Sequence, residues 1–295
     1  MAISICVMAG VMVDIVTSLP DSLEVYKETE QWIPSEMEWH VAGAGANIAI
    51  AASSIGFSPV FLISKIGLQL DGQPDIAARF ILDKLNKYNI KVLYAGDQSI
   101  ITGTNMIIYR GENKRLIIAD NRFEVSLNST DISPEIIAAA TQSDILFVSG
   151  YSLMSKSSAQ ATLLLMREVS RRGGSIALDV VPHKIHKHLS LEEFREYTEL
   201  VDILITELNT IRHLYPSVAA SEKEEIEKIS SVLLKSQKMV ILRTAQNMQY
   251  IFGSDGLSKA AKIDFPVGDV KQKRGFWDIE SVRALIDHYS LYKKW

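Results

Sequence analysis

Short apolar runs alternate along this chain with longer stretches in which apolar residues return every three or four positions. The first run, Ile3 to Met8, is continuous and stops at Gly10, which predicts a strand buried on both faces. Val60 to Ser64 predicts a second strand, followed by an amphipathic helix from about Gln73 to Asn89. From Asp144 onward the alternation is regular. Strands are expected at Ile145 to Val148, Ser175 to Asp179, Asp202 to Thr206 and Met239 to Leu242. Helices are expected at about Ser158 to Arg171, Leu191 to Glu199, Ser221 to Ser236 and Glu280 to Tyr289. Strands and helices spaced in this way predict βαβ units and a largely parallel sheet. The region Thr102 to Ile118 breaks the pattern. Met106 to Tyr109 and Arg115 to Ile118 are short β-type runs around Arg110 to Lys114, a hairpin signal. With the polar stretch Pro20 to Met37, they predict a small separate sheet over the edge of the main one.

Trp39 to Gly56 is unlike the rest. Ala42 to Ala46 is a loop of Gly and Ala with almost no side chains, so a ligand can lie against its backbone. An Ala- and Ile-rich helix follows, with Gly56 at the place of a C-cap. Free N–H groups at the start of such a helix face oxygen atoms. The dinucleotide fingerprint needs a glycine where Ile48 stands, and no Gly-Lys-Ser/Thr triplet follows for a phosphate loop. Asn47 is a polar amide in the first turn of an otherwise apolar helix. As an N-terminal cap or as a ligand-binding group, it has two readings at about even odds.

Composition narrows the class. The chain has 295 residues, 47% of them hydrophobic and 22% charged. That suits one large α/β domain or two small ones. A formal net charge of -4 and no dense basic run argue against nucleic acid as a partner. Cys6, the sole cysteine, leaves no disulfide framework or thiolate metal site and reads as a small buried hydrophobe. The apolar start lacks a basic flank and is interrupted by Asp14, so it reads as a strand rather than a signal peptide. No later run is long enough to cross a membrane without a charge, and the expected location is the cytoplasm. His183, His186 and His188 have spacing that suits a transition metal. Lys184 and Lys187 stand among them and no carboxylate is near to orient the rings, which favours a solvated loop by roughly nine to one. Asp14 falls just after the first strand, where open α/β sheets bind their ligands.

These landmarks resemble the ribokinase-like (PfkB-type) carbohydrate kinase family over about Ile3 to Asp278. The family's first signature is a Gly-Gly pair, an Asn four residues after the second Gly, then Ala, ending in Leu-Gly. The chain has Ala42-Gly43, then Asn47 and Ala49, ending Ile55-Gly56. The resemblance implies a three-layer α/β sandwich with a mostly parallel central sheet and a small β lid. It implies one ribokinase-like domain over residues 1–295, with lid strands from about residues 15–38 and 98–120. It further implies that Asp14, Gly43, Asn47 and Asn105 bind the acceptor's hydroxyls. Lids of this kind pair across a dimer, so a homodimer through the lid is expected.

The family's second signature, Asp-Thr-x-Gly-Ala-Gly-Asp, is matched by Gln272-Lys273-Arg274-Gly275-Phe276-Trp277-Asp278. Its final Asp is the base for the acceptor hydroxyl and its Gly-Ala-Gly amides receive the transferred phosphoryl, which implies Asp278 and Gly275 as catalytic. Phe276 and Trp277 replace small residues there. Together with Arg243 and Arg274 they are the expected nucleotide-side contacts, with ATP and Mg2+ as the implied cofactors. The family's Thr-Leu-Gly-x-x-Gly loses both glycines in Arg243 to Met248, and its Asn-x-x-Glu becomes Glu207 to Thr210. For Asp278, the plain alternative is a carboxylate placed at a helix N-terminus, which base chemistry outweighs by about three to two. The implied activity is ATP-dependent phosphorylation of a hydroxymethyl group on a sugar or nucleoside. The alternative is a catalytically silent relative that binds such a molecule, since the acceptor side is kept better than the nucleotide side.

Overall fold

The computed structural model describes residues 2–19, 35–110, 114–119, 127–180, 185–253, 256–263 and 276–292. A nine-stranded sheet forms the centre. In chain order its strands are β1 (Ile5–Met8), β4 (Val60–Gly67), β5 (Ile90–Asp97), β8 (Ile145–Ser149) and β9 (Ser175–Val180). Then follow β10 (Ile203–Glu207), β11 (Met239–Arg243), β12 (Met248–Gly253) and β13 (Gly256–Lys262). Their spatial order is β13-β12-β11-β10-β9-β8-β1-β4-β5. Pairing is parallel from β5 through to β11, and the β11–β12 and β12–β13 pairings are antiparallel. A second sheet, ordered β3-β2-β6-β7, consists of β2 (Met12–Leu19), β3 (Glu38–Ala42), β6 (Gly103–Arg110) and β7 (Lys114–Ala119).

Helices cover both faces of the large sheet. On one side lie α1 (Ala44–Ile55), α2 (Ile76–Asn86) and α8 (Phe276–Tyr292). On the other lie α3 (Pro134–Gln142), α4 (Lys156–Arg171), α5 (Leu191–Thr198), α6 (Leu208–Ile211) and α7 (Glu222–Leu233). This double cover explains the continuous apolar strands, because successive side chains point to opposite faces and both faces are dry. Ile5 and Val7 join the α1/α2/α8 core, whereas Cys6 and Met8 join the other. Ile203 and Ile205 separate from Leu204 in the same way. Cys6 is fully buried, and burial drives its thiol pKa upward, which suits an inert hydrophobe. Five of the helices start on side-chain caps: Asp75, Ser133, Ser155, Ser190 and Ser221 each accept a backbone N–H from the first turn.

The fold is the α/β sandwich with a small accessory sheet that the residues implied. Several elements differ from expectation. Asp14 does come a few residues after β1 ends, but it lies within a further strand, β2, and not in a loop. The helix expected from Glu280 begins at Phe276, so Phe276, Trp277 and Asp278 are helical. Strands β5, β12 and β13 and helix α3 had no counterpart in the hydrophobic pattern. Pro20 to Pro34, Gly275, Arg274 and His183 lie outside the described residues. His186 is not a bare solvated imidazole, because its ring packs on His213 with centroids 4.4 Å apart.

Candidate active site

The carboxyl ends of β1, β9, β10 and β11 face the first turns of α1 and α8, and the polar residues of the sheet's core collect there. Gly10 follows β1, and the Ala42-to-Ala46 segment comes back against it. The Gly45 amide donates to the Gly10 carbonyl at 3.0 Å. A Cβ on Gly43 would come within 2.6 Å of that same carbonyl oxygen, and one on Gly45 within 2.6 Å of the Ala9 oxygen. Gly43 has φ +88°, a conformation that other residues rarely adopt. The two glycines therefore permit a backbone-to-backbone approach that no side chain would allow. Gly43 is also the N-cap of α1 and offers no side-chain bond. Asn47 consequently is not the cap.

Its amide instead reaches across to α8, where Asn47 Nδ2 donates to Asp278 Oδ2 at 2.9 Å. The first and last helices of one face thus meet through these two residues, which are 231 positions apart in the chain. Asp278 stands in the first turn of α8. Its carboxyl is pushed up to about 7, chiefly by removal from water; the Asp179 charge adds to the rise, and the Asn47 bond and the Arg243 charge oppose it. A carboxyl of that acidity is half ionised near neutral pH, as a general base requires.

A second polar pair sits on the accessory sheet. Asp14 of β2 and Asn105 of β6 face each other across parallel strands. Asn105 Nδ2 donates to Asp14 Oδ1 at 3.0 Å and lies 2.9 Å from the sulfur of Met12. Asp14 is buried. Because β2 continues from Gly10, both pairs hang from the same turn after β1.

The opposite side is built around Arg243, at the end of β11 and only 3% exposed. Its Nη2 donates to Ser281 Oγ at 2.6 Å, and its Nε to Gln249 Oε1 at 3.3 Å. Trp277 lies over the guanidinium, with the ring centroid 4.8 Å from Cζ, and Phe276 meets the indole edge-on at 5.6 Å. Ser281 Oγ donates to Asp179 Oδ2 at 2.7 Å. Burial raises the Asp179 pKa, while Arg243 and Ser281 oppose that rise. Arg243, Trp277, Glu207, Asn209, Thr244 and Asn247 border a cavity of about 170 Å³. The Thr244 hydroxyl in its wall is buried without a hydrogen-bond partner. Asn247 has φ 60°, a left-handed conformation that Asn adopts more readily than most residues, in the turn where the family's glycines are missing.

The structure therefore joins Asn47 to Asp278, Asn105 to Asp14, and Arg243 to Trp277 and Phe276. Three participants were not singled out from sequence. Asp179 closes an apolar strand, a signal that was available. Ser281 stands three residues, about one helical turn, after Asp278. Tyr151 follows β8; removal of its hydroxyl from water, then the charges of Asp278, Asp179 and Glu207, raise its pKa.

A large, mostly parallel sheet under helices, a small accessory sheet and ligand-type residues at the sheet's carboxyl edge define a ribokinase-like kinase fold. Residues 3–269 match the model of the pfkB family carbohydrate kinases, and the chain belongs to that family. The match ends before Asp278. No curated protein matches the sequence. Among solved structures, a putative ribokinase II from E. coli in complex with ATP and Mg2+ superposes with a TM-score of 0.70 at 17% identity, over 91% of this chain and 80% of that one. Adenosine kinase from Sinorhizobium meliloti gives 0.68 at 12% identity, over 96% and 88%. Arabidopsis thaliana ribokinase, complexed with ribose and ATP, gives 0.66 at 16% identity, over 96% and 84%. At these identities the structural likeness concerns the fold.

Proposed function

We propose that the protein transfers the γ-phosphoryl group of ATP to a hydroxymethyl group of a sugar or nucleoside. The observation that carries this reading is the Asn47–Asp278 bond. It puts a carboxyl with base-like acidity beside the glycine loop that, in this family, holds the acceptor. The similar structures include a ribokinase complexed with ribose and ATP and an adenosine kinase, which frame the acceptor class.

In the proposed reaction Asp278 accepts the proton of the acceptor hydroxyl as its oxygen bonds to the γ-phosphorus. The bond from that phosphorus to the β–γ bridging oxygen breaks, and ADP leaves. ATP is the source of the phosphoryl group, and Mg2+, if held by Glu207, would offset the charge of the phosphates. Asp14, with Asn105, and the Gly43 backbone orient the acceptor's hydroxyls. Asn47 keeps Asp278 aimed at the acceptor. The Arg243 cavity suits phosphate oxygens: it has the Thr244 hydroxyl without a partner, the amides of Asn209 and Asn247, and a buried guanidinium. Among the described residues no cluster of three His, Cys, Asp or Glu forms a metal site. Mg2+ commonly binds through one or two carboxylates plus substrate phosphates, and Glu207 is the carboxylate on the cavity wall.

One observation favours a second reading. Trp277 covers Arg243 where the family has a glycine amide, which would suit a protein that binds the acceptor without phosphorylating it. One experiment decides between the two. Purified protein is incubated with Mg-ATP and a panel of sugars and nucleosides, and phosphorylated product is scored by mass. Product with at least one acceptor, reduced by about a hundredfold or more in Asp278→Asn while acceptor binding persists, supports the kinase. A blank across the panel with no thermal shift from Mg-ATP sinks it. A shift with one acceptor alone then establishes the silent binder.

A further inference from the structure

The polar groups behind Asp278 are more elaborate than a base needs in order to be aimed. Ser281 is about one helical turn beyond Asp278 and fully buried, so its bonds fix the first turn of α8 to the ends of two strands. It accepts from Arg243 of β11 and donates to Asp179 of β9. The Ser281 hydroxyl thus bridges Arg243, at 2.6 Å, and Asp179, at 2.7 Å, about one helical turn beyond Asp278. The ring of Trp277 covers the Arg243 guanidinium. With water excluded, charges at this range act strongly on one another.

We infer that Arg243, tied through the Ser281 hydroxyl both to Asp179 and to the first turn of α8 that carries Asp278, is a positioning residue that fixes the place of the base and biases which of the two carboxylates carries a proton. The inference deepens the proposed kinase reading, because the proton's location matters through the role of Asp278 as base. Every neighbouring group acts in a definite direction. From α1, the Asn47 amide stabilises ionised Asp278; from β11, Arg243 does the same; from β9, Asp179 opposes it. The charges of both carboxylates act on Tyr151, after β8, and those of Glu207 and Glu280 act on Arg243. Carboxylates whose charges act on one another titrate as a coupled pair. Their proton is movable in a way that a lone buried carboxyl's is not.

The test needs no turnover. The full chain is labelled with [13C-carboxyl]aspartate, and the Asp278 resonance, assigned by its loss in Asp278→Asn, is followed against pH by NMR. In the unaltered protein it is expected to titrate near about 7. Asp179→Asn removes the opposing charge and is expected to lower the midpoint by on the order of one pH unit. Arg243→Gln is expected to raise it. Arg243→Gln leaves a buried carboxylate uncompensated and is the variant at risk of unfolding, so Asp179→Asn/Arg243→Gln, which removes both charges, accompanies it. The pair variant is expected to recover stability and a midpoint between those of the two single variants. An unmoved Asp278 midpoint in folded Asp179→Asn, or an upward shift there, overturns the inference and leaves Asp179 a structural anchor only. These midpoints are read whether or not any acceptor is phosphorylated. A blank panel with the shifts intact counts against the kinase alone.

Discussion

Asp278 is pulled in two directions by its setting. The first turn of α8 favours a carboxylate, because the amide dipoles point their positive end at it. Burial disfavours the charge and wins, and the group reaches about 7 from an ordinary 3.8. This has a consequence for stability. Between about 4 and about 7, the native state keeps a proton that the unfolded chain has already lost. Stability therefore falls as pH rises through that window, and levels off above it. Below about 4 both states are protonated and the contribution is fully present. Asp278→Asn, isosteric and neutral, is expected to melt within about a degree of the unaltered protein at pH 4 and several degrees above it at pH 8. Scanning calorimetry at the two pH values checks this, and a gap that is larger at pH 4 contradicts it. Asn47 teaches a related lesson. From its position alone, a cap and a ligand-binding amide were equally good readings, because either uses a polar group in the first turn. The deciding partner lies on the last helix, and no local pattern announces a contact of that range.

At the scale of elements, β1, the glycine segment and α1 form one unit. Their closeness depends on missing side chains rather than on added bonds. Gly43→Ala would place a methyl carbon 2.6 Å from the Gly10 oxygen, in a backbone conformation of φ +88°. The strain alone is on the order of 1–3 kcal/mol, and relief requires α1 to move away from β1. The expected result is a lower melting temperature together with weaker acceptor binding by calorimetric titration. Gly56→Ala serves as the control: it also has positive φ, but open space around it, and it sits away from the site. Equal loss of binding in both variants would show that the close approach is irrelevant to the site. This unit was legible in the sequence because a run of Gly and Ala before a helix has few other uses. The doubly covered strands were legible too, since a parallel sheet writes itself as unbroken apolar runs. Strand β2 was not. Asp14 interrupts its apolar pattern, and the partner that accommodates the carboxylate, Asn105, lies far along the chain on β6. Strands β12 and β13 lie at the sheet's end and are partly exposed, so their apolar pattern is diluted below recognition.

Across the whole molecule, the site falls where the sheet's order turns. Strand β1 lies between β8 and β4, and connections leave it in both directions. The crevice beyond such a switch point is where open α/β sheets hold their ligands. In the proposed reaction the acceptor-side residues come from β2, β6 and α1, early in the chain, and the nucleotide-side residues from the ends of β10 and β11 and from α8, late in it. That division makes the two halves separable by mutation. Thr244→Val replaces a buried hydroxyl that has no protein partner by a methyl of the same shape. Without ligand, the exchange removes an unpaired polar group, and the melting temperature is expected to rise, by the equivalent of about 1 kcal/mol or more. With Mg-ATP the sign reverses if a phosphate oxygen is that hydroxyl's partner. A ligand at about a hundred times its dissociation constant stabilises by about 2.7 kcal/mol, and the variant should lose a clear part of that shift. Its shift with an acceptor should be unchanged. Asp14→Asn is expected to show the opposite pattern, with the acceptor shift reduced and the Mg-ATP shift kept. Thermal melts of the two variants, each with acceptor or Mg-ATP alone, give four shifts. A Mg-ATP shift that Thr244→Val leaves intact would remove phosphate from the Arg243 cavity, and with it the nucleotide half of the proposed reaction.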